Sequence, residues 1–208
     1  MKKLILVIFY VFIFNSPSFA LVEVDITRGN LDPLPIAISP LYDEPGSQEI
    51  KQGDKVIKNI GEEISKVIEV NLRRSGLFNP LKKDSFVQNP DIAHIKPRFE
   101  DWRLIKAQAL VTGKVSVSDG KLRTEFRLWD VVAAKEMVAL AFSTTPSNWR
   151  RVAHIISDKI YKRLTGEEGY FDTRIIYVSE TGKKTQRYKK LAIMDQDGAN
   201  VKYLTLGN

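Results

Sequence analysis

Two stretches of this chain place apolar residues at three- and four-residue spacing, and each predicts a long helix with one buried stripe. Across residues 53–75 the stripe is Val56, Ile60, Ile64, Val67 and Ile68. Gly76 stands where a helix stop belongs, and Leu77-Phe78-Asn79-Pro80 leads away from it. Across residues 148–164 the stripe is Trp149, Val152, Ile156, Ile160 and Leu164, with Asn148 as the expected cap and Gly166 as the expected stop. Residues 99–106 predict a shorter helix with Trp102 and Ile105 facing inward.

Alternation at period two marks the strands. Leu21-Val22-Glu23-Val24-Asp25-Ile26-Thr27 sets Val22, Val24 and Ile26 on one face, and such a segment can pair with its own sheet or with a partner's edge. Residues 35–40 read as a short buried strand between prolines, and the polar residues 43–54, with two glycines, read as a loop. Residues 110–118 and 121–129 flank Asp119-Gly120, a link suited to a type I′ hairpin whose register is left open. Residues 135–144 add a third strand through Val138, Leu140 and Phe142, giving an antiparallel meander. The expected fold is an α/β amino-terminal domain, its sheet covered on one face by the two main helices.

After Gly169 the pattern changes. Residues 173–179 and 188–194 read as strands, and Asp195-Gln196-Asp197-Gly198 turns into Val201-Lys202-Tyr203-Leu204. Three short strands are less than a usual domain and do not bury both faces of a sheet unaided. They read either as a piece of a longer protein or as a tail resting on the preceding domain. Their open edges imply poor order or self-association, unless the strands rest on the preceding domain.

Composition and the first residues narrow the function. Lys2 and Lys3, the apolar run at residues 4–14 and the small Ser18 and Ala20 form an expected export signal cut after Ala20. The run of 11 residues is short against the roughly 20 that cross a bilayer core, although an uncleaved anchor is the alternative. No later run is long enough to span a membrane. A periplasmic or secreted protein follows, and that location disfavours nucleic acid. Losing the two leader lysines lowers the net charge from +7 to +5, a modest basicity suited to an anionic envelope surface. The absence of cysteine excludes disulfides, thiol catalysis and Cys-based zinc sites.

Candidate chemistry is sparse. His94 and His154 are far apart in sequence, and His154, beside Ile155, reads as a partly buried helix residue. Glu62-Glu63 and Glu167-Glu168 are adjacent, so on a helix they diverge by about 100° and do not share a site. Asp195-x-Asp197-Gly198 lacks the glycine and glutamate positions of a calcium loop and reads as a turn. Arg150-Arg151, Lys183-Lys184 and Lys189-Lys190, with Tyr188 nearby, could meet phosphate, but no nucleic-acid motif joins them. No catalytic, metal or cofactor residues are assigned, and binding without catalysis is the expected class.

Three joined segments carry a resemblance: NLRRSGLFNPL at residues 71–81, WRRVAHIISDKIYKRLTGEEGYFDTRIIYVSETG at 149–182 and LAIMDQDGANVKYLT at 191–205. With PIAISPL and ALVTGKV in the same order, the mature chain closely resembles the TolB family of the periplasmic Tol–Pal system. The resemblance implies a signal at residues 1–20, the amino-terminal α/β domain at 21–168 and the truncated start of a β-propeller, an incomplete all-β propeller blade, at 169–208. It implies a non-enzymatic adaptor supporting outer-membrane integrity and constriction in cell division. Its mature amino terminus, here Leu21, Val22, Glu23, Val24, Asp25 and Ile26, would bind the carboxy-terminal, periplasmic domain of TolA. The lipoprotein Pal binds chiefly through the propeller in this family, so Pal binding by these residues alone is doubtful, and a competing or nonfunctional fragment is the alternative.

Overall fold

The computed structural model describes residues 32–52 and 55–207, so the expected signal, the strand expected at 21–27 and Gly53 lie outside the described residues. The buried aliphatics of Leu34–Ile38 form β1, a central strand. It pairs in parallel with β5 (Phe78–Pro80) on one side and with β6 (Ala109–Ser118) on the other. The short β2 (Tyr42–Asp43) continues along the same edge of β6. Then β7 (Lys121–Asp130) and β8 (Lys135–Thr144) extend the sheet antiparallel, in the order β5-β1-β6-β7-β8.

The hairpin fixes its own register. Asp119 at φ 50° and Gly120 at φ 68° form the type I′ turn expected of that dipeptide. Val111 then faces Leu128 and Val117 faces Leu122. Alternation sends Ala109, Val111, Val115 and Val117 of β6 to one face, with Leu122, Phe126 and Leu128 of β7. Helices α1 (Ile60–Arg74) and, later in the chain, Trp149–Thr165 cover this face. Ile60, Ile64 and Ile68 on α1 and Val152, Ile156 and Ile160 on the later helix are all buried in the same cluster.

The opposite face is also partly covered. Helices α2 (Pro90–Ala93) and α3 (Phe99–Leu104) bring Ala93 and Trp102 against Ala37, Leu110 and Val131. Trp102 donates its indole N–H to Gln88 Oε1 at 3.0 Å, which lets a polar ring atom sit in a dry pocket. The one-faced arrangement expected from two main helices is therefore extended, because these two short helices carry their own small core. The helix at Trp149–Thr165 is accordingly α4.

Three local expectations are corrected. The first helix starts at Ile60, not at residue 53, because Ile50–Gln52 (β3) and Lys55–Ile57 (β4) form a hairpin. Val56 follows the period of a strand and is 47% exposed, so it leaves the stripe. The region expected to be loop at 43–54 therefore contains strand residues. The start of α1 is fixed from a distance: the Asp43 carboxylate accepts the Gly61 N–H at 3.0 Å. A side chain at Gly61 would place its Cβ 2.1 Å from the Leu41 carbonyl oxygen, so only glycine lets β2 and α1 approach. At α4, Asn148 stands at the expected N-cap position, but its side chain makes no cap hydrogen bond to the helix. It ends a 3₁₀ turn, Pro146–Asn148, and donates to the Thr144 and Thr145 hydroxyls at 3.1 and 3.2 Å.

Glycine ends both long helices as expected, with Gly76 at φ 76° and Gly166 at φ 79°. The stripe assignment has a direct check in urea unfolding. Ile156→Ala should lower stability by about 3 kcal/mol, as a large-to-small change in a packed core does. Val56→Ala should change it by less than about 0.5 kcal/mol, as at an exposed position.

Candidate functional site

The linker after α4 is strapped back onto that helix. Asp158 accepts the N–H groups of Phe171 at 2.6 Å and Asp172 at 3.0 Å. A Cβ on Gly169 would lie 2.3 Å from Asp158 Oδ1, so the strap needs glycine there. Burial raises the Asp158 carboxyl above its ordinary value, and the two backbone donors oppose that rise. Phe171 is buried in the main core and meets Tyr161 edge-on, with ring centroids 5.8 Å apart.

From this anchor a separate sheet departs: β9 (Arg174–Thr181), β10 (Tyr188–Asp195) and β11 (Lys202–Tyr203), in the order β11-β10-β9. Asp195 to Gly198 form the turn read from the sequence, with the Gly198 N–H donating to the Asp195 carbonyl at 2.9 Å. That turn rests on α1 and α4, so the strands contact the preceding domain rather than standing apart. Ile176 and Val178 nevertheless remain 62% and 57% exposed.

The contact is a directional relay of hydrogen bonds. Arg74 donates to Gln196 Oε1, and Gln196 Nε2 donates to Asn71 Oδ1 at 3.0 Å. The Asn71 amide nitrogen is thereby turned toward Ser157 Oγ at 3.0 Å and His154 Nδ1 at 2.9 Å. Arginine has only donors, so it fixes the sense of every later bond. His154 Nδ1 accepts, and the neutral ring carries its proton on Nε2. That N–H is buried without a hydrogen-bond partner among the described residues, 3.7 Å from Asp197 Oδ2. Arg150 donates to the same Asp197 oxygen.

Burial pushes the His154 pKa down; Asp197 opposes this, and Arg150 adds to it. Burial alone would raise the Asp197 carboxyl, but the Ala199 N–H, Arg150 and His154 together hold it below its usual value. His154, Asp195 and Asp197 have their ligand atoms within 4.8 Å of one another, which invites a metal-centre reading. The relay opposes it: the imidazole presents an N–H, not a lone pair, and the Arg150 cation already occupies the Asp197 carboxylate. The arrangement is a buried polar clasp between a helix pair and a turn.

The other sequence candidates are scattered. His94 stacks on Tyr42 with centroids 4.6 Å apart, away from His154. Glu62 meets Lys83 at 2.7 Å and Glu63 meets Lys66 at 2.8 Å, while Glu168 pairs with Lys162. Arg151 pairs with Asp172 at 3.2 Å, and Lys189 with Glu180 at 3.0 Å. Lys190 lies over the rings of Tyr188 and Tyr203, at 5.3 and 5.0 Å. The residues Leu21, Val22, Glu23, Val24, Asp25 and Ile26 lie outside the described residues. Sequence reasoning missed Asn71 and Asp158; the available signal was a polar residue, Asn71, standing seven after Ile64 on a buried stripe.

Residues 22–137 match the family described as the TolB amino-terminal domain. The chain belongs to the TolB family. It is 70% identical over 193 residues to the Tol-Pal system protein TolB of Pelagibacter ubique, covering 92% of this chain and 43% of that protein. It thus spans less than half the length of this curated relative. Its fold resembles that of TolB from Acinetobacter baumannii, at 23% identity and a TM-score of 0.67, over 89% of this chain and 41% of the other. Within the TolB frame the chain is an α/β domain followed by strands consistent with part of a propeller. No helix among the described residues is long and apolar enough to cross a membrane.

The clasp should be sensitive to pH. A folded His154 pKa below the ordinary histidine value of 6.5 means that the unfolded or undocked state binds the extra proton. The neutral-ring contribution is complete above about 6.5 and declines as pH falls toward the lower, folded value. Protection factors at β9 and β10, corrected for the intrinsic pH dependence of exchange, should fall through that window in the native chain. Replacing His154 by glutamine, which has no proton to gain there, should remove that component of the change.

Proposed function

We propose that this chain serves as the periplasmic, non-enzymatic adaptor of a Tol–Pal system, binding TolA through its mature amino terminus. The similarity to the Pelagibacter Tol–Pal system protein carries this reading. In it, Leu21, Val22, Glu23, Val24, Asp25 and Ile26 add to a partner sheet through their backbone. Val22, Val24 and Ile26 anchor one face, and Glu23 and Asp25 guide the encounter. The domain boundaries follow the same reading: signal at 1–20, adaptor domain at 21–168 and propeller from 169. Pal binding belongs in this proposal to the propeller, of which these residues supply the opening strands. Support for outer-membrane integrity and for constriction in cell division follows from bridging the two partners.

The clasp supports the adaptor reading in a physical sense. A protein that links two partners through two domains needs those domains held in a defined relation. Arg74, Asn71 and His154 from the helices and Gln196 and Asp197 from the β10–β11 turn supply one. The arrangement spends its one buried histidine on that contact.

Calorimetry against the periplasmic domain of TolA tests the assignment. Deleting residues 21–27 should remove measurable binding while leaving thermal unfolding of the α/β domain cooperative. Unchanged affinity in a folded deletion variant would defeat the assignment of the segment.

A further inference from the structure

The sheet ends at β8, and that edge is unusual in what surrounds it. β8 is ten residues long and, among the described residues, pairs on one side only, with β7. Proteins commonly blunt such edges with prolines, lysines, bulges or inward-pointing charges. From Met137 to Thr144 the strand has no charged residue and no proline. Its one irregularity lies near the start, at the Leu128/Trp129 register shift.

A groove flanks the edge on each face. On the helix side a groove of about 470 Å³ is floored by Val138 and Leu140 and rimmed by Lys159, Lys162 and Arg163 of α4. On the other side a groove of about 550 Å³ runs beneath His94 and Ile95 across the small residues Ala139 and Ala141, beside Arg123 and Arg127. Leu140 borders both. Side chains of an added strand would enter these two grooves alternately, as the pleat requires. Cations stand over both. Lys159 and Arg163 have no ion-pair partner among the described residues; Lys162 meets Glu168, Arg123 meets Glu125, and Arg127 meets Glu136 at 3.4 Å.

We propose that the free edge of β8 is a docking site where an extended, acidic and apolar segment of another polypeptide adds to the sheet as a further strand. The backbone of β8 supplies the hydrogen bonds, Val138 and Leu140 take the apolar side chains, and the rim cations select carboxylates. A second copy of this chain fits less well, because its own β8 edge would bring the same cations to face these. Strand length also suits the occupant: seven or eight added residues span roughly 25 Å, within the reach of β8.

The test titrates the intact protein with a nine-residue peptide alternating valine and glutamate, followed by calorimetry and amide hydrogen exchange. Saturable binding with new protection confined to alternate amides of β8 is expected. The double variant Lys159→Glu, Arg163→Glu changes two surface side chains and should weaken binding at least tenfold. A control peptide with lysine in place of glutamate should bind at least tenfold more weakly than the acidic one. Absence of saturable binding, equal binding of the two peptides, or new protection in β9–β11 in place of β8 would overturn the proposal. So would strong protection of β8 before peptide is added, whether from the chain's own residues 21–27 or from concentration-dependent pairing of two copies.

Discussion

The structure depends on α1 and α4 lying together across one face of the sheet. Neither helix buries its stripe alone, and the strands beneath are apolar on that face along β1, β6 and β7. Ile64, Ile68, Ile156 and Ile160 are all fully buried in the one cluster that both helices share. The same packing brings Asn71 of α1 beside His154 and Ser157 of α4, forming the seat for the β10–β11 turn. The hydrophobic contact therefore comes first, and the polar clasp is built at its margin.

The contrast between the two grooves and the clasp is one of wetness. At the clasp, polar groups are removed from water and must satisfy one another, so the bonds have a fixed sense and each substitution reaches several neighbours. At the β8 edge, charged side chains stay in solvent around an apolar floor. Such charges contribute little to the fold's stability and more to the choice and rate of encounter. One region holds the molecule's own parts together, while the other remains open.

Much of this was legible from the chain because the decisive signals were local. Asp119-Gly120 specified its hairpin through the positive φ that both residues adopt. All five stripe residues of α4 are buried, and Gly76 and Gly166 stop their helices. What escaped was set at a distance. The start of α1 depends on Asp43, eighteen residues before Gly61, and the β3–β4 hairpin has only three residues per strand, too few for a clear period. Asn71 and Gln196 are 125 positions apart, so neither looked special until folding joined them. The resemblance supplied the TolB family, but its partner segment at Leu21–Ile26 has no geometry among the described residues.

Asp158 has a mechanical consequence. The chain leaves α4 at Gly166, yet it is tied again to Asp158 through Phe171 and Asp172, with the Phe171 ring sunk in the core. A pull on the strands beyond Gly169 is thus delivered to the body of the helix, about two turns before its end. It acts across the helix axis and against a packed aromatic side chain, instead of peeling the last turn residue by residue. Tension arriving from the propeller side would be shared with the whole α1–α4 layer before any of it unwound.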